Sequence, residues 1–530
     1  MKMIRAIHPE SKPISVVKVS FLALMSMLFI LSGCAVGPDY VKPTVPEPKQ
    51  WLEEDSPKVE TEEADFTTWW KVFDDTVLDI LIDSAYEQNL DLKIAGIRIL
   101  QARAQLGVAI GSLYPQQQSG VGSYSRINLS ENTANVLSDT AYSDYNIGFD
   151  AAWELDFWGK FRRGVESNFG SLEASIASYD DILVTLTAEV ARTYVAIRTL
   201  EERLDIARQN VKTQERSLQI AQARFEGGDV TELDVSQARS LLHTTQALVP
   251  ELEIGLRQAK NGLAVLLGKM PGEVDQMLQG PTKIPTAPDT VAVGVPAELL
   301  RRRPDIRRAE RQLAAQSALI GVAKADLFPH FVLFGSIGWQ AGSSSDWLNS
   351  NSFRGFGGPG FSWDIFNYGR IRNRIRVQDA RFQELVVDYE NTVLKAAQET
   401  EDALVSFLRS QEQAHLLGQA VDASKRSVDL SMVQYKEGLA DYLRVLDTQR
   451  ALTEQQDRYT ATNGGVVLNL VSIYKSLGGG WKIREGKPFV TEETKQQMRE
   501  RTNWGGLLDP AQQALPVNDK DRLKWQWPDW

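Results

Sequence analysis

The feature that most constrains the fold of this chain is a duplication. Trp153-Glu154-Leu155-Asp156-Phe157-Trp158-Gly159-Lys160 aligns with Trp363-Asp364-Ile365-Phe366-Asn367-Tyr368-Gly369-Arg370 at an offset of 210 residues. The same offset brings Phe225-Glu226-Gly227-Gly228 onto Tyr435-Lys436-Glu437-Gly438, and Leu233 and Val235 onto Leu443 and Val445. Upstream, Asp91-Leu92, Leu106-Gly107-Val108-Ala109 and Tyr114-Pro115 match Asp305-Ile306, Ile320-Gly321-Val322-Ala323 and Phe328-Pro329 at an offset of 214. Ordered blocks at nearly constant spacing define two copies of one large unit, with one loop four residues shorter in the second copy. The period is far above the roughly 20–50 residues of a solenoid.

Each copy holds a strand pattern suited to a membrane. Tyr145, Ile147, Phe149, Ala151, Trp153, Leu155 and Phe157 alternate with residues that are mostly small or polar, and period-two alternation gives a strand one apolar and one polar face. The run has aromatic residues at both ends and exceeds the ~9–11 residues of a tilted membrane strand. Phe331, Leu333, Ile337 and Trp339, then Phe361, Trp363 and Ile365, repeat the pattern. The expectation is a β-hairpin over 115–157 and another over 329–367. Four strands cannot close a barrel alone, since the smallest have ~8. Oligomerisation is therefore required, and strand count alone allows two chains or three.

The rest is helical. Between about 160 and 226 there is no proline, and Leu172, Ile176, Tyr179, Leu183, Leu186, Val190, Tyr194, Ile197, Leu200, Leu204, Ala207, Val211 and Leu218 recur near every 3.5 residues, as along a coiled-coil seam. A helix of that span is about 100 Å long. A turn at 227–229 and a return helix to 267 follow. The second copy repeats the sequence of elements, with its turn at 437–439 and its return helix to 477. An incoming helix over 76–112 and the return helix are of nearly equal length, so laid end to end they match one long helix. The linker 268–295, with Pro271, Pro281, Pro285 and Pro288, crosses where they meet, and the polar tail 481–530 is expected to pack there.

Residues 1–33 read as a secretory signal: Lys2, Arg5, Lys12 and Lys18 precede a short apolar core from Phe21 to Leu31. The only cysteine, Cys34, follows it directly in Leu31-Ser32-Gly33-Cys34, a lipobox-like setting that makes Cys34 the expected lipidation site. Ala35, rather than Asp, at the next position implies outer-membrane sorting. Residues 34–75 are a tether rich in proline and acid, which disfavours helix. A net charge of −11 argues against nucleic acid as a partner. The four histidines (His8, His243, His330, His415) lack metal-ligand spacing. No His-Glu-x-x-His, Gly-x-Ser-x-Gly or phosphate loop is present. Neither catalytic residue, metal nor cofactor is expected beyond the covalent lipid.

Taken together, Cys34 with Gly37-Pro38-Asp39-Tyr40, Val295 to Glu310 with its Arg302-Arg303-Pro304-Asp305-Ile306 core, the Gly turns near 228 and 438, Leu446-Asp447-Thr448-Gln449-Arg450, and Leu477-Gly478-Gly479-Gly480-Trp481 resemble the TolC-type outer membrane factors. The match is to the lipoprotein (NodT-like) branch serving resistance-nodulation-division efflux systems, and it covers 34 to about 481. The resemblance implies a mixed α+β membrane protein, internally duplicated. Its long α-helical coiled-coil barrel would continue into a 12-stranded outer-membrane β-barrel, formed by a homotrimer with four strands per chain. Repeats are then expected over 76–267 and 296–480. The implied function is the exit duct of a tripartite efflux pump, passing drugs, solvents or other toxic small molecules from an inner-membrane pump and a periplasmic adaptor protein. Type I protein secretion or copper/silver efflux is the alternative duty. A structural coiled-coil or adhesin lipoprotein is the alternative class, though it leaves the aromatic strands unexplained.

The Gly turns lie at the far ends of the long helices from the strands, and so form the periplasmic mouth. The mouth is acidic, with Glu226, Asp229, Glu232 and Asp234 in one hairpin and Glu437 and Asp441 in the other. Symmetry makes each inward carboxylate a ring, which repels itself unless paired. The expected gate pairs Asp441, Asp234 or Asp447 with Arg444, Arg224 or Tyr442 of neighbouring helices, with Asp229 on the rim. Gly227, Gly228, Leu233, Val235, Gly438 and Leu443, matched between the copies, are candidates for adaptor docking.

Overall fold

A computed structural model describes residues 35–45, 50–62, 65–130, 132, 140–280, 282–296 and 302–509. The signal segment and Cys34 lie outside the described residues. Elements come in the order β1 (Val59–Glu60), α1 (Thr76–Gln88), α2 (Leu90–Gly111), β2 (Gln117–Asn128), β3 (Ala141–Glu154), α3 (Lys160–Glu226), α4 (Glu232–Leu266), β4 (Val291–Ala292), α5 (Pro304–Ala325), β5 (His330–Ala341), β6 (Phe353–Ser362), α6 (Arg370–Lys436), α7 (Tyr442–Ser476) and α8 (Glu492–Arg501). The two long helices, α3 and α6, have 67 residues each and so run about 100 Å.

Strands β2-β3-β5-β6 form one antiparallel sheet in that order. Ile147 faces Trp339 and Phe149 faces Ile337 across its middle. These side chains remain exposed, as does Phe361 on the same face, leaving an apolar band for lipid to cover; Phe334 and Phe356 are exposed on the opposite face. The strand expected over 145–157 instead runs from Ala141 to Glu154. It ends early because the Asp156 carboxylate accepts from the backbone N–H of Phe161 and Arg162, at 2.9 Å each, turning the chain into α3. Among the described residues no helix is long and apolar enough to cross a membrane.

The incoming helix expected over 76–112 is broken at Asn89 into α1 and α2. Its backbone leaves the helical region at ψ 130°, its Oδ1 caps Leu92 N–H at 2.9 Å, and its Nδ2 donates to the Leu266 carbonyl at 2.9 Å. That last bond joins the end of α4 to the start of α2. Arg303 does the same in the second copy, donating to the Ser476 carbonyl at 2.8 Å to join α7 to α5. Both members of this junction obey the sequence offsets: Asn89 to Arg303 is 214 and Leu266 to Ser476 is 210.

The principal core sits at this level. Leu78, Leu81, Ile82, Leu183, Val190, Leu263, Leu470 and Ile473 are buried together there, and each such side chain contributes about 1.5–3 kcal/mol when fully removed from water. The N-terminal tether is a fitted strap. Val36 N–H bonds the Trp158 carbonyl at 3.0 Å, Asp39 meets Arg163 at 2.7 Å, and Trp51 Nε1 bonds the Gly294 carbonyl at 2.9 Å. Strand β1 then pairs in parallel with β4, and Trp69 stacks on Tyr474 at 5.2 Å. The described part of the tail, 481–509, lies over the same level. Phe489 meets Tyr179 edge-on at 5.1 Å, and Val490, Met498 and Leu508 bury Leu100.

Candidate functional site

The tip far from the sheet is built by two helical hairpins, α3–α4 and α6–α7. Gly228 and Gly438 close them in left-handed backbone, φ +78° and +74°, where other residues are strained. Ala221, Val235, Ala238, Leu241, Tyr435, Tyr442, Val445 and Leu446 pack into a small core that binds the two hairpins together. Tyr435 and Tyr442 meet edge-on at 5.2 Å.

Arg224 links the hairpins. Its guanidinium donates to the Tyr435 carbonyl, lies 4.7 Å from that ring's centre and stands 3.9 Å from Asp229. Asp234 titrates above the ordinary carboxylate range. Burial is the main cause and the Asp441 charge adds to it, while Arg224 opposes both. Asp234 and Asp441, from different hairpins, thus lie close enough within one chain for their charges to interact.

The sequence-derived candidates divide. Asp441 caps α7, accepting from Arg444 N–H at 3.3 Å, so within the chain it meets that residue's backbone rather than its guanidinium. Asp447 and Arg450 form an exposed pair one helical turn apart at 3.8 Å, of a kind worth ~0.3–0.5 kcal/mol. Leu233 and Leu443 are exposed at equivalent places, beside the equally exposed Leu439. Two candidates need correction. Tyr442 is 1% exposed and Val235 6%: both are spent on the tip core, so Tyr442 has no surface for a neighbouring helix and Val235 none for a docked partner. Tyr435 was missed. Its only sequence signal is its place opposite Phe225, ten residues before Val445. Among the described residues no cluster of His, Cys, Asp and Glu could hold a metal ion.

Comparison with known proteins agrees with this architecture. The family model described as outer membrane efflux protein matches residues 81–269 and 295–479, one segment per repeat with the linker between them left out. The pyoverdine export outer membrane protein OpmQ of Pseudomonas aeruginosa is 32% identical over 465 residues, covering 87% of this chain and 97% of the relative. Nodulation protein T of Rhizobium leguminosarum bv. trifolii is 31% identical over 430 residues, 81% of this chain and 90% of the relative. Among solved structures, the outer-membrane channel OprN superposes with a TM-score of 0.80 at 34% identity, over 85% of this chain and 100% of that one. With the duplicated helical hairpins and the four-stranded sheet, these matches establish that the chain belongs to the outer membrane efflux protein family, whose members are transport channels and not enzymes.

Proposed function

We propose that three copies of this chain close one duct through the outer membrane, a twelve-stranded barrel continuing into a helical barrel. The duct is the exit of a tripartite efflux system, taking small molecules from an inner-membrane resistance-nodulation-division pump and a periplasmic adaptor. The observation that carries this reading is a pair of unsatisfied flanks related by the duplication. Among the described residues β2 and β6 are sheet edges with no partner, and an open edge is not stable in lipid. Inside the chain, α3 packs on α5: Trp158 stacks on Phe328 at 4.5 Å and donates to the Pro329 carbonyl at 2.8 Å, while Asp180 pairs with Arg307 at 3.3 Å. Shifted by the sequence offsets, these contacts become Tyr368 with Tyr114 and Pro115, and Glu390 with Lys93. Tyr368 is fully exposed in the single chain, so α6 of one copy against α2 of the next repeats the internal seam. The name of OpmQ, a pyoverdine export protein, supports a small-molecule cargo over a protein.

Cys34 carries the lipid in this reading. Its neighbour Ala35 sits against Gly159, whose added Cβ would lie 2.7 Å from the Ala35 Cα. That contact is directly beneath β3, where acyl chains would enter the inner leaflet.

At the mouth, Asp441, Asp234, Asp229 and Asp447 of adjoining copies gather around the axis, and Arg444 and Arg224 hold them closed. Planar-bilayer recording of the lipidated protein should give small wild-type currents and larger ones from Asp441→Ala/Arg444→Ala. Equal currents would discard the gate and keep the duct. No current from either assembled protein would overturn the duct itself. Adaptor hairpins dock on Leu233 and Leu443 beside Gly227, Gly228 and Gly438. Gly228→Asp/Gly438→Asp should abolish adaptor crosslinking, since it places charge in the turns and costs about 1–2 kcal/mol of backbone strain at each. Unchanged crosslinking would rule the turns out.

A further inference from the structure

The loop joining β5 to β6, residues 342–352, folds to one side of the sheet, and strand register fixes which side. The last pair of β3 with β5 is Tyr145 opposite Ala341. Side chains alternate along a strand, so this pair shares its face with Ile147 and Trp339 of the lipid-facing band. One residue further in, Asn146 and Gln340 point to the opposite face, where Arg354 donates to both side-chain oxygens at 3.2 Å. The rim of the sheet is therefore aromatic on one face and polar on the other.

Strand β6 lies on the side of β5 away from β3. A loop between neighbouring strands has no need to reach back past β5, yet this one does. Trp347, at its centre, lies against Tyr145 of β3 with ring centres 5.9 Å apart. Tyr145 in turn meets Tyr124 of β2 at 4.9 Å, and Trp339 meets Phe353 edge-on at 5.7 Å. Because register places the Tyr145 ring on the lipid-facing side, the loop has turned down over that side. Tyr145 and Ala341 belong to the two central strands, so this seat is complete within one chain. The loop is built to hold the turn. The Asp346 carboxylate accepts from the Ser343 hydroxyl at 2.9 Å and the Asn349 amide at 3.3 Å, and its carbonyl accepts from the Ser352 hydroxyl at 2.6 Å. With the one acidic side chain satisfied inside the loop, Trp347 and the exposed Leu348 stand side by side at its centre. From Gly342 to Ser352 there is no Lys or Arg, so nothing in the loop calls for a phosphate. An indole on a hydrogen-bonded polar turn is the amphipathic combination that favours a membrane interface.

We propose that the β5–β6 loop is a foot set in the outer leaflet of the membrane. Trp347 and Leu348 enter at the boundary between headgroups and acyl chains, continuing the lipid-facing band past the strand ends, and the loop's serines and asparagines meet the headgroups. A loop seated outside the sheet is also kept from folding across the exit of the duct, and this second part rests on the duct proposed above.

The test uses the lipidated protein in lipid nanodiscs, with wild type as the blank for thiol labelling. An environment-sensitive maleimide fluorophore on Leu348→Cys should emit blue-shifted light, be quenched by phospholipid brominated on its acyl chains, and resist aqueous iodide. The same fluorophore on Ile147→Cys reports the band itself. Lipid quenching at Ile147 with iodide quenching at Leu348 overturns this proposal alone. No lipid quenching at Ile147 overturns the lipid-facing band and this inference with it. A Leu348 label shielded from both quenchers places the loop against protein and overturns the foot as well. In Leu348→Cys/Trp347→Ser the label should pass from lipid to water, and a label that stays in lipid would remove Trp347 as the anchor. For the exit, adding Trp347→Ser to Asp441→Ala/Arg444→Ala should make single-channel currents flicker. Unchanged noise discards the exit role and keeps the foot, while no current in that background overturns the duct and the exit role with it.

Discussion

Cysteines at Val121 and Phe361 are expected to lock the protein into covalent trimers. Within the chain, Ala151 of β3 faces Gly335 of β5, and the sequence offsets carry that pair to Phe361 of β6 and Val121 of β2 in the next copy. Directly opposed residues of an antiparallel ladder have Cα atoms about 4.5–5.5 Å apart, inside the roughly 4.4–6.8 Å window for a disulfide. The natural cysteine, acylated in this reading, offers no competing thiol. Non-reducing electrophoresis of Val121→Cys/Phe361→Cys should show dimer and trimer bands and nothing larger, with each single variant running as monomer. Moving one cysteine by a residue, as in Val121→Cys/Gly360→Cys, places the two side chains on opposite faces of the barrel and should abolish the ladder. Linkage of the shifted pair alone would refute the register, and a tetramer band would refute the number three.

Asp180→Ala should produce the largest loss of stability of any single substitution in the tail's seat. Asp180 is fully buried in the first third of α3, bonded by both Arg307 and Arg484. Those two guanidinium groups also lie 5.0 and 5.6 Å from the centre of Trp481. Burial pushes the Asp180 carboxyl above its ordinary range, and the two arginines pull it back. Removing the carboxylate leaves one deeply placed cation, Arg484, uncompensated, and breaking a buried pair in this way costs about 3–5 kcal/mol. Thermal unfolding should shift down accordingly, and proteolysis should begin within 481–509. Asp180→Ala/Arg484→Ala, which removes the stranded charge as well, should recover part of the loss. If the double variant is as unstable as the single one, the seat depends on packing at Trp481 and Phe489 rather than on the ion pair.

Much of the fold is legible because its determinants are local or repeated. The 3.5-residue spacing of Leu172 through Ala207 is written along one helix, and the alternation from Tyr145 to Trp153 along one strand. Asn89 shows where legibility ends. Asn89 suits a helix N-cap, but the apolar spacing runs on through it, and the carbonyl that fixes the break belongs to Leu266, far along the chain. Strand β3 stops short for a similar reason: Leu155 and Phe157 keep the alternation, while Asp156 acts through α3. At the tip, acidity and the glycine turns were readable, but Tyr442 and Val235 have the residue types of a contact surface and the positions of a core. Only the packing of one hairpin on the other separates the two. The strap is not legible in the sequence, because its partners, Arg163, Glu310 and Gly294, come from three distant parts of the chain.

The strap has a consequence for the order of biogenesis. Phe66 and Trp69 are needed at the junction by Tyr474 and by the Gly480 N–H, which bonds the Phe66 carbonyl at 3.0 Å. The N-terminal strap therefore finds its last partner some four hundred residues later in the chain. Contacts of such separation close slowly. On the lipid-anchored reading proposed above, the strap would wait, exposing aromatic surface, until almost all of the chain has been exported. On that reading, the aromatic stretch 66–73 is the surface that would need shielding during that interval.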